Sequence, residues 1–437
     1  MQKRTIGIIG AGATGIAAAW DLSLAGYDVT IYEGGAELGG LAAGFRDDNW
    51  EWSLEKFYHH WFETDKDIRN ILTEMGLWDN VIFPRPKTSY WINGKIYRSE
   101  ISPSALFLPQ SLIATFRMGL FGVYLKLIKD GTFLEKFTAH NWMRHRMGEE
   151  AYGKFFKPLL IGKFGDQYEK VNMAWMWARV RARSLRLGIY NGGFQQALND
   201  MADKIRANGA KIHLNTPVTG IDVQNGKPRL LVNGEWQSFD RVLSTTSPQL
   251  LLKLGGDALK NSDYGQKVAN LKSIGAVCVV FALKKSLLTD GTYWLNLPAT
   301  SPDKSQSQFP FLALVEHTNW MDKAHYNDDV LVYCGDYVPA DHEYFTMSEA
   351  DLIQRFAKVL PTFNADFRPD WIRKAWAFRA PYAQPVPSLN HSQNIPALKT
   401  SLDGVYWASM SQVYPWDRGT NFAVEMGRRV AKLMMGD

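Results

Sequence analysis

The stretch TIGIIGAGATGIAAAWDLSLAGYDVTIYE, Thr5 to Glu33, constrains the fold of this chain more than any other. Thr5 to Ile9 is a continuous apolar, β-branched run, the pattern of a strand buried on both faces of a parallel sheet. Gly10-Ala11-Gly12-Ala13-Thr14-Gly15 follows, and then an alanine- and leucine-rich segment that reads as a helix ending at Gly26. In such a strand, turn and helix, Gly10 permits the tight turn, Gly12 lets the backbone approach a pyrophosphate, and Gly15 lets helix and strand pack closely. The helix N-terminus, at Ala13 and Thr14, supplies partial positive charge. A second strand, YDVTIY, ends at Glu33, about twenty residues beyond the glycines, where a carboxylate can accept hydrogen bonds from an adenosine ribose. The unit predicts a dinucleotide site.

The chain is long enough for more than this unit. With 437 residues, 46% of them hydrophobic, it can bury two or three domains. Its 49 basic and 44 acidic residues leave a net charge of +5, too mild to point to nucleic acid, so a small-molecule substrate is expected. Cys278 and Cys334 each sit in an apolar, strand-like run, which excludes a disulfide scaffold and fits a reducing compartment. The apolar run after Arg4 is too short for a signal-peptide core or a membrane span, and the expectation is a cytoplasmic protein. The most lipid-like stretch, residues 105–129, is broken by Pro109, Arg117 and Lys126. It reads either as a buried helical pair or as an interfacial helix that touches anionic lipid.

Shortly after Glu33 comes GGAELGGLAAGF, with Gly39-Gly40-Leu41 where the chain must pass a cofactor without side-chain obstruction. This resembles the extended signature of the flavoproteins with two dinucleotide-binding domains, the monoamine oxidase, protoporphyrinogen oxidase and phytoene desaturase superfamily. The resemblance implies FAD. It extends to Asn191–Val223, similar to the family's segment that returns to the FAD domain, with Val218 matching the residue at the adenine end. It extends also to GVYWASMSQVYPWDRGTNFAVEMGRRVAKLM, similar to the last motif, whose helix, opening here at Thr420 and Asn421, faces the flavin and its pyrophosphate. The family commonly has Gly-Asp after this last strand, where Ala408-Ser409-Met410 stands here, so Ser409, Asp417 or backbone amides are expected to make that contact. No cysteine lies near this segment, and noncovalent FAD is expected.

The fold class implied is α/β: a Rossmann-like FAD-binding domain of the monoamine oxidase kind, with an inserted substrate domain of mixed sheet and helices. The FAD domain is expected to be discontinuous, roughly 1–75, 190–258 and 402–437, with residues 76–189 and 259–401 forming the substrate domain. From Arg144 to Arg186 ten lysines and arginines face four acids, ending in ARVRARSLRLG. Arginine suits planar grips on carboxylate or phosphate, so Arg179 and Arg183 are candidate binders of an anionic or lipid-like substrate, the alternative being a solvated helix face.

The chain has no GxSxG, HExxH or CxxC motif, and His140 and His145, five apart, do not share a helix face; no metal site is expected. EKFYHHWFETD, Glu55 to Asp65, puts two adjacent histidines among aromatics. In an extended chain they point to opposite faces, so they would not share one metal. The segment also resembles the GPHIFHT-type stretch of UDP-galactopyranose mutases. That match puts His60 on the flavin-facing histidine, Glu63 where those enzymes have a second one, and leaves His59 to packing. His60 is therefore the expected general base, with Lys56 behind it and Tyr58 as a further catalytic candidate. Trp61 and Tyr414 are expected to line an aromatic substrate pocket. The reading is an FAD-dependent oxidoreductase moving hydride from a substrate carbon to flavin N5. Its alternatives are a mutase-like flavoenzyme acting on a sugar nucleotide without net redox, and a binding protein like the prenyl-protein escorts, against which the intact glycines stand.

Overall fold

The computed structural model describes residues 3–98 and 109–437. Its first layer is a five-stranded parallel sheet with Thr5–Ile9 in the middle, flanked by Asp28–Tyr32 and then Lys211–His213 on one side, and by Arg241–Ser244 and then Val405–Trp407 on the other. The strand order thus gathers segments lying far apart in sequence. Central strands buried on both faces need apolar side chains throughout, and Ile6, Ile8, Val29, Ile31, Val242 and Leu243 are fully buried.

The first helix, Ala13–Leu24, and the C-terminal helix, Thr420–Gly436, pack closely against one another. A Cβ on Gly427 would stand 2.3 Å from the carbonyl oxygen of Thr14, so the crossing requires glycine. A three-stranded antiparallel sheet, Val218–Gln224, Lys227–Val232 and Glu235–Ser238, covers one end.

The second layer is a seven-stranded sheet in the order Ile372–Pro385, Ser273–Leu283, Val330–Val338, Ala313–Glu316, Trp294–Asn296, Thr88–Ile92 and Lys95–Arg98. All its pairs are antiparallel except that between Trp294–Asn296 and Thr88–Ile92, so the sheet is mixed. Its long central strands carry the two cysteines, both buried and free. A separate core of Met, Trp and Leu side chains joins the helices Leu112–Leu127, Ala139–Met147, Lys157–Phe164 and Met173–Ala182.

The lipid-like stretch 105–129 is described from residue 109; 105–108 lie outside the described residues. Its helix is buried on one side only, so it is not the fully buried pair that its composition allowed. Among the described residues no helix is long and apolar enough to cross a membrane, and no group of histidine, cysteine or acidic side chains could hold a metal ion.

Candidate active site

The glycine turn has the geometry of a phosphate cradle. Gly10 adopts φ +101°, with the Thr245 hydroxyl 2.5 Å from where a Cβ would stand, and a Cβ on Gly15 would lie 2.1 Å from the Gly10 carbonyl oxygen. Side chains are excluded at both positions by backbone or by a packed neighbour. Gly12 is the N-cap of the first helix and has no side chain to satisfy its first-turn amides, those of Ala13 and Thr14 among them. Such amides suit an external anion. Glu33 closes the other side: its Oε2 accepts from the Ala11 amide at 2.9 Å and its Oε1 from the Gly35 amide at 2.8 Å, which holds the carboxylate against the turn.

Gly39 and Gly40, at φ +113° and +58°, bring the chain back beside Gly12, with which Gly39 forms a parallel bridge. Val218 is buried beside Tyr32 and Ile9, where the neighbouring Thr216 amide bonds the Glu33 carbonyl. These residues converge on one place. FAD fits it: the first-turn amides would hold the pyrophosphate, Glu33 the ribose, and the bare Gly39-Gly40 backbone would leave room for the rest.

Several residues assigned from sequence to cofactor or substrate have other work. Asn421 is 4% exposed, and its Oδ1 accepts from the amides of Asp67 and Ile68 at 2.9 and 3.0 Å, capping the helix Lys66–Glu74. The Thr420 hydroxyl accepts from Trp61 Nε1 at 2.6 Å, and Trp61, 2% exposed, packs on Phe194. Trp61 is therefore a core tie between the C-terminal helix and the histidine segment, and no wall of a substrate pocket. Ser409 caps the short turn Met410–Gln412 and is buried. The Tyr414 hydroxyl donates to Glu135 at 2.9 Å and accepts from Asn172 at 3.1 Å, in a polar cluster of the helical core. Lys56 lies outside the cavity, 3.5 Å from Glu37.

Between Leu41 and the second sheet lies a small cavity of about 30 Å³, lined by Phe57, Tyr58, His59, Tyr337, Asp336 and Arg418 among others. The two histidines do diverge, but it is His59 that lines this cavity. Burial and then Arg418 hold His59 at about 4. His60 turns toward Phe62 and Trp294, with its Nδ1 buried and without a partner. Burial, followed by the charges of Arg183, His59 and Arg179, holds His60 at about 3. The imidazole is neutral near pH 7, as expected, but it is a weak proton acceptor there, which argues against a general-base role. Tyr58, its phenol pushed well above its ordinary value by burial, is a neutral wall of the cavity.

Asp417 organises the charges behind this wall. It accepts from Lys163 Nζ at 3.0 Å, Arg179 Nη1 at 2.5 Å, Trp175 Nε1 at 3.1 Å and the Arg418 amide at 3.1 Å. Burial opposes its ionisation, but Lys163, Arg179 and Arg418 outweigh it and hold the carboxyl well below the usual range. Asp417 is thus a counter-ion for protein cations instead of a cofactor contact, and Arg179 is already paired. Arg183 differs. Arg183 is exposed, its side chain has no hydrogen-bond or ion-pair partner among the described residues, and the charge of Arg179 lowers it to about 10. Tyr90 lies within its electrostatic reach.

Sequence reasoning missed Arg418, Tyr337 and Asp336. Arg418 donates to the Tyr337 hydroxyl and, at 3.2 Å, to Gln384 Oε1. Asp336 is 2% exposed, pushed up to about 6 by burial against the pull of Lys304, with one carboxylate oxygen unpartnered. The signal was present: Asp336 interrupts the apolar strand VLVYCGDYV, and an acid in a buried strand is costly unless it has a task.

Residues 13–435 match the model of the flavin-containing amine oxidoreductase family. A 15-cis-phytoene desaturase of Glycine max is 22% identical, covering all of this chain and 80% of that protein. An oxidoreductase from Methanosarcina mazei has the same fold at 19% identity and a TM-score of 0.75, covering 99% of this chain and all of the other. A reduced UDP-galactopyranose mutase matches at 16% identity and a TM-score of 0.77, covering 99% of this chain and 96% of the other. The glycine cradle, the returning Gly39-Gly40 backbone and the match along nearly the whole chain lead to one statement: the chain belongs to the flavin-containing amine oxidoreductase family.

Proposed function

We propose that the protein is an oxidoreductase that holds FAD noncovalently and removes hydride from a carbon of an anionic or amphipathic substrate, whose anionic group is held by Arg183. The observation that supports the substrate class is the Arg183 guanidinium, which makes no ion pair among the described residues and feels Asp417 only at a distance, while its neighbour Arg179 is paired with Asp417 directly. A partnerless arginine beside a neutral histidine and a phenol is suited to a bidentate grip on carboxylate or phosphate.

Bound FAD supplies the hydride acceptor. The chain's own residues bind, orient and exclude water. Phe57, Tyr58 and Tyr337 give the cavity an aromatic lining, and Leu41 and Ala276 keep it apolar. Asp417 keeps Lys163 and Arg179 in place, so the field around Arg183 is fixed before substrate arrives. Burial keeps His59 and Tyr58 neutral, while Asp336, held at about 6 with one carboxylate oxygen unpartnered, is a lining group able to accept a proton near pH 7. Burial pushes both cysteine thiols upward, leaving them weak nucleophiles, which supports a noncovalent cofactor.

The test is anaerobic reduction of the bound flavin by a panel of donors paired as anionic compounds and their neutral analogues. The anionic member should reduce the flavin faster, and Arg183→Met should raise its KM with little change for the neutral one. Equal behaviour of the pair in both proteins would overturn the assignment of Arg183. Turnover that requires prior reduction of the flavin and consumes no electron acceptor would replace hydride removal with mutase chemistry.

A further inference from the structure

A helix that is apolar all round belongs in a protein interior or in lipid. The helix Leu112–Leu127, LIATFRMGLFGVYLKL, is of this kind, yet only one side is covered: Ala114, Phe121 and Leu125 are buried in the helical core. On the other side Leu112, Ile113, Phe116, Leu120, Val123 and Leu127 are between 54% and 74% exposed. Single exposed apolar residues are ordinary, but six on one face of a helix are not.

The charges on the helix itself have one sign, and cations outnumber acids beside it. The helix contains Arg117 and Lys126 and no acid. Lys129, Lys136, Arg181 and Arg186 are exposed nearby, with no carboxylate partner among the described residues. Two ionised acids adjoin the helix: Glu150, which is bonded to Ser111 and paired with Lys154, and Asp130, which accepts from the Thr132 amide.

We propose that this face docks the protein on a membrane surface rich in anionic lipid, with the six apolar side chains in the interfacial region and the cations against lipid phosphates. The contact is peripheral, since the helix is only 16 residues long and carries Arg117 in its middle. Charge complementarity favours lipid over a second copy of the chain, because two such faces would bring rims of like charge together. Lys126 Nζ donates to the carbonyls of Arg181 and Arg183, each at 3.1 Å, so the docking helix is tied to the segment that carries Arg183. Delivery of an amphipathic substrate from the bilayer to Arg183 rests on the proposed function; the docking itself does not.

The test is flotation of the full chain, with its flavin absorbance recorded, in the presence of vesicles of phosphatidylcholine alone or mixed with phosphatidylglycerol. The protein should float with the anionic vesicles, less so as salt is added. Ile113→Ser/Phe116→Ser/Leu120→Ser should weaken this at least about tenfold while leaving thermal unfolding and flavin content unchanged. Lys129→Glu/Arg186→Glu should remove only the preference for anionic vesicles. Absence of flotation, equal flotation with both vesicles, or flotation unaffected by the triple substitution would overturn the proposal. So would a dimer in solution that the triple substitution converts to monomer, since a second copy would then cover the face.

Discussion

Asp417→Asn removes one negative charge and almost no volume from the middle of the cation cluster. The carboxylate now serves Lys163, whose side chain is 9% exposed, and Arg179, 19% exposed. The neutral amide strands both. Breaking a buried ion pair by removing one partner costs about 3–5 kcal/mol, because the remaining charge stays desolvated. An unfolding entropy of about 2.1 cal/mol/K per residue gives roughly 0.9 kcal/mol/K for a chain of this length, so the melting temperature should fall by about 3–6 °C. The sign with pH follows from the depressed carboxyl. Its contribution is complete above the ordinary aspartate value near 4 and is lost only as pH falls toward its far lower folded value. The gap between variant and parent should close in stronger acid, where the parent's own carboxyl is protonated, and narrow toward high pH, where burial lets Lys163 lose its proton once Asp417 is gone. Adding Lys163→Met should recover part of the loss by removing one stranded cation. Thermal unfolding followed by circular dichroism measures each quantity. A melting temperature within about 1 °C of the parent at pH 7 would mean that the cluster does not need its anion.

Three further outcomes are expected. Gly15→Ala would place a methyl 2.1 Å from the Gly10 carbonyl oxygen, and a strain of about 1–3 kcal/mol in the cradle should weaken FAD binding roughly 5- to 150-fold by fluorescence titration, whereas Gly119→Ala, with open space around it, should not. His60→Gln should retain FAD and leave every limb of the pH profile between 5 and 9 in place, because burial holds His60 at about 3; a limb that disappears in the Gln variant would restore the general-base role. Glu55, buried against the Phe194 amide and pushed up to about 7 by burial, gives stability that is complete below its ordinary value and is lost as pH rises through 7. Glu55→Gln should flatten the stability profile over that interval, a relative gain of roughly 2–4 kcal/mol at pH 8, and a slope identical to the parent's would contradict the assignment.

The cofactor half was legible because its signal is local. Strand, glycine turn, helix and Glu33 occupy one continuous stretch, and the constraint on each glycine comes from its neighbours in the chain. Asn421 was misread because its partners, the amides of Asp67 and Ile68, lie far away in sequence. Nothing around TNFAVE indicates that another helix begins beneath it. Trp61 and Tyr414 failed for the same reason: an aromatic near a cofactor motif looks like a pocket wall until its N–H or O–H is seen to be spent on Thr420 or Glu135. The alternation of His59 and His60 was correctly read from extended geometry. Which of the two meets the cavity depends on Arg418 and on the second sheet, which the local sequence does not encode. The exposed face of Leu112–Leu127 shows the converse. Its apolar composition was plain, but only packing decides which side is covered.

The turn Gly10–Gly15, Glu33 and Gly39-Gly40 together form the cradle proposed for a flavin dinucleotide. The most direct measurement is the visible absorbance of the purified chain, followed by acid precipitation and identification of the released chromophore. A yellow protein that releases about one FAD per chain into the supernatant is the predicted result; a colourless protein that takes up no added FAD would contradict it.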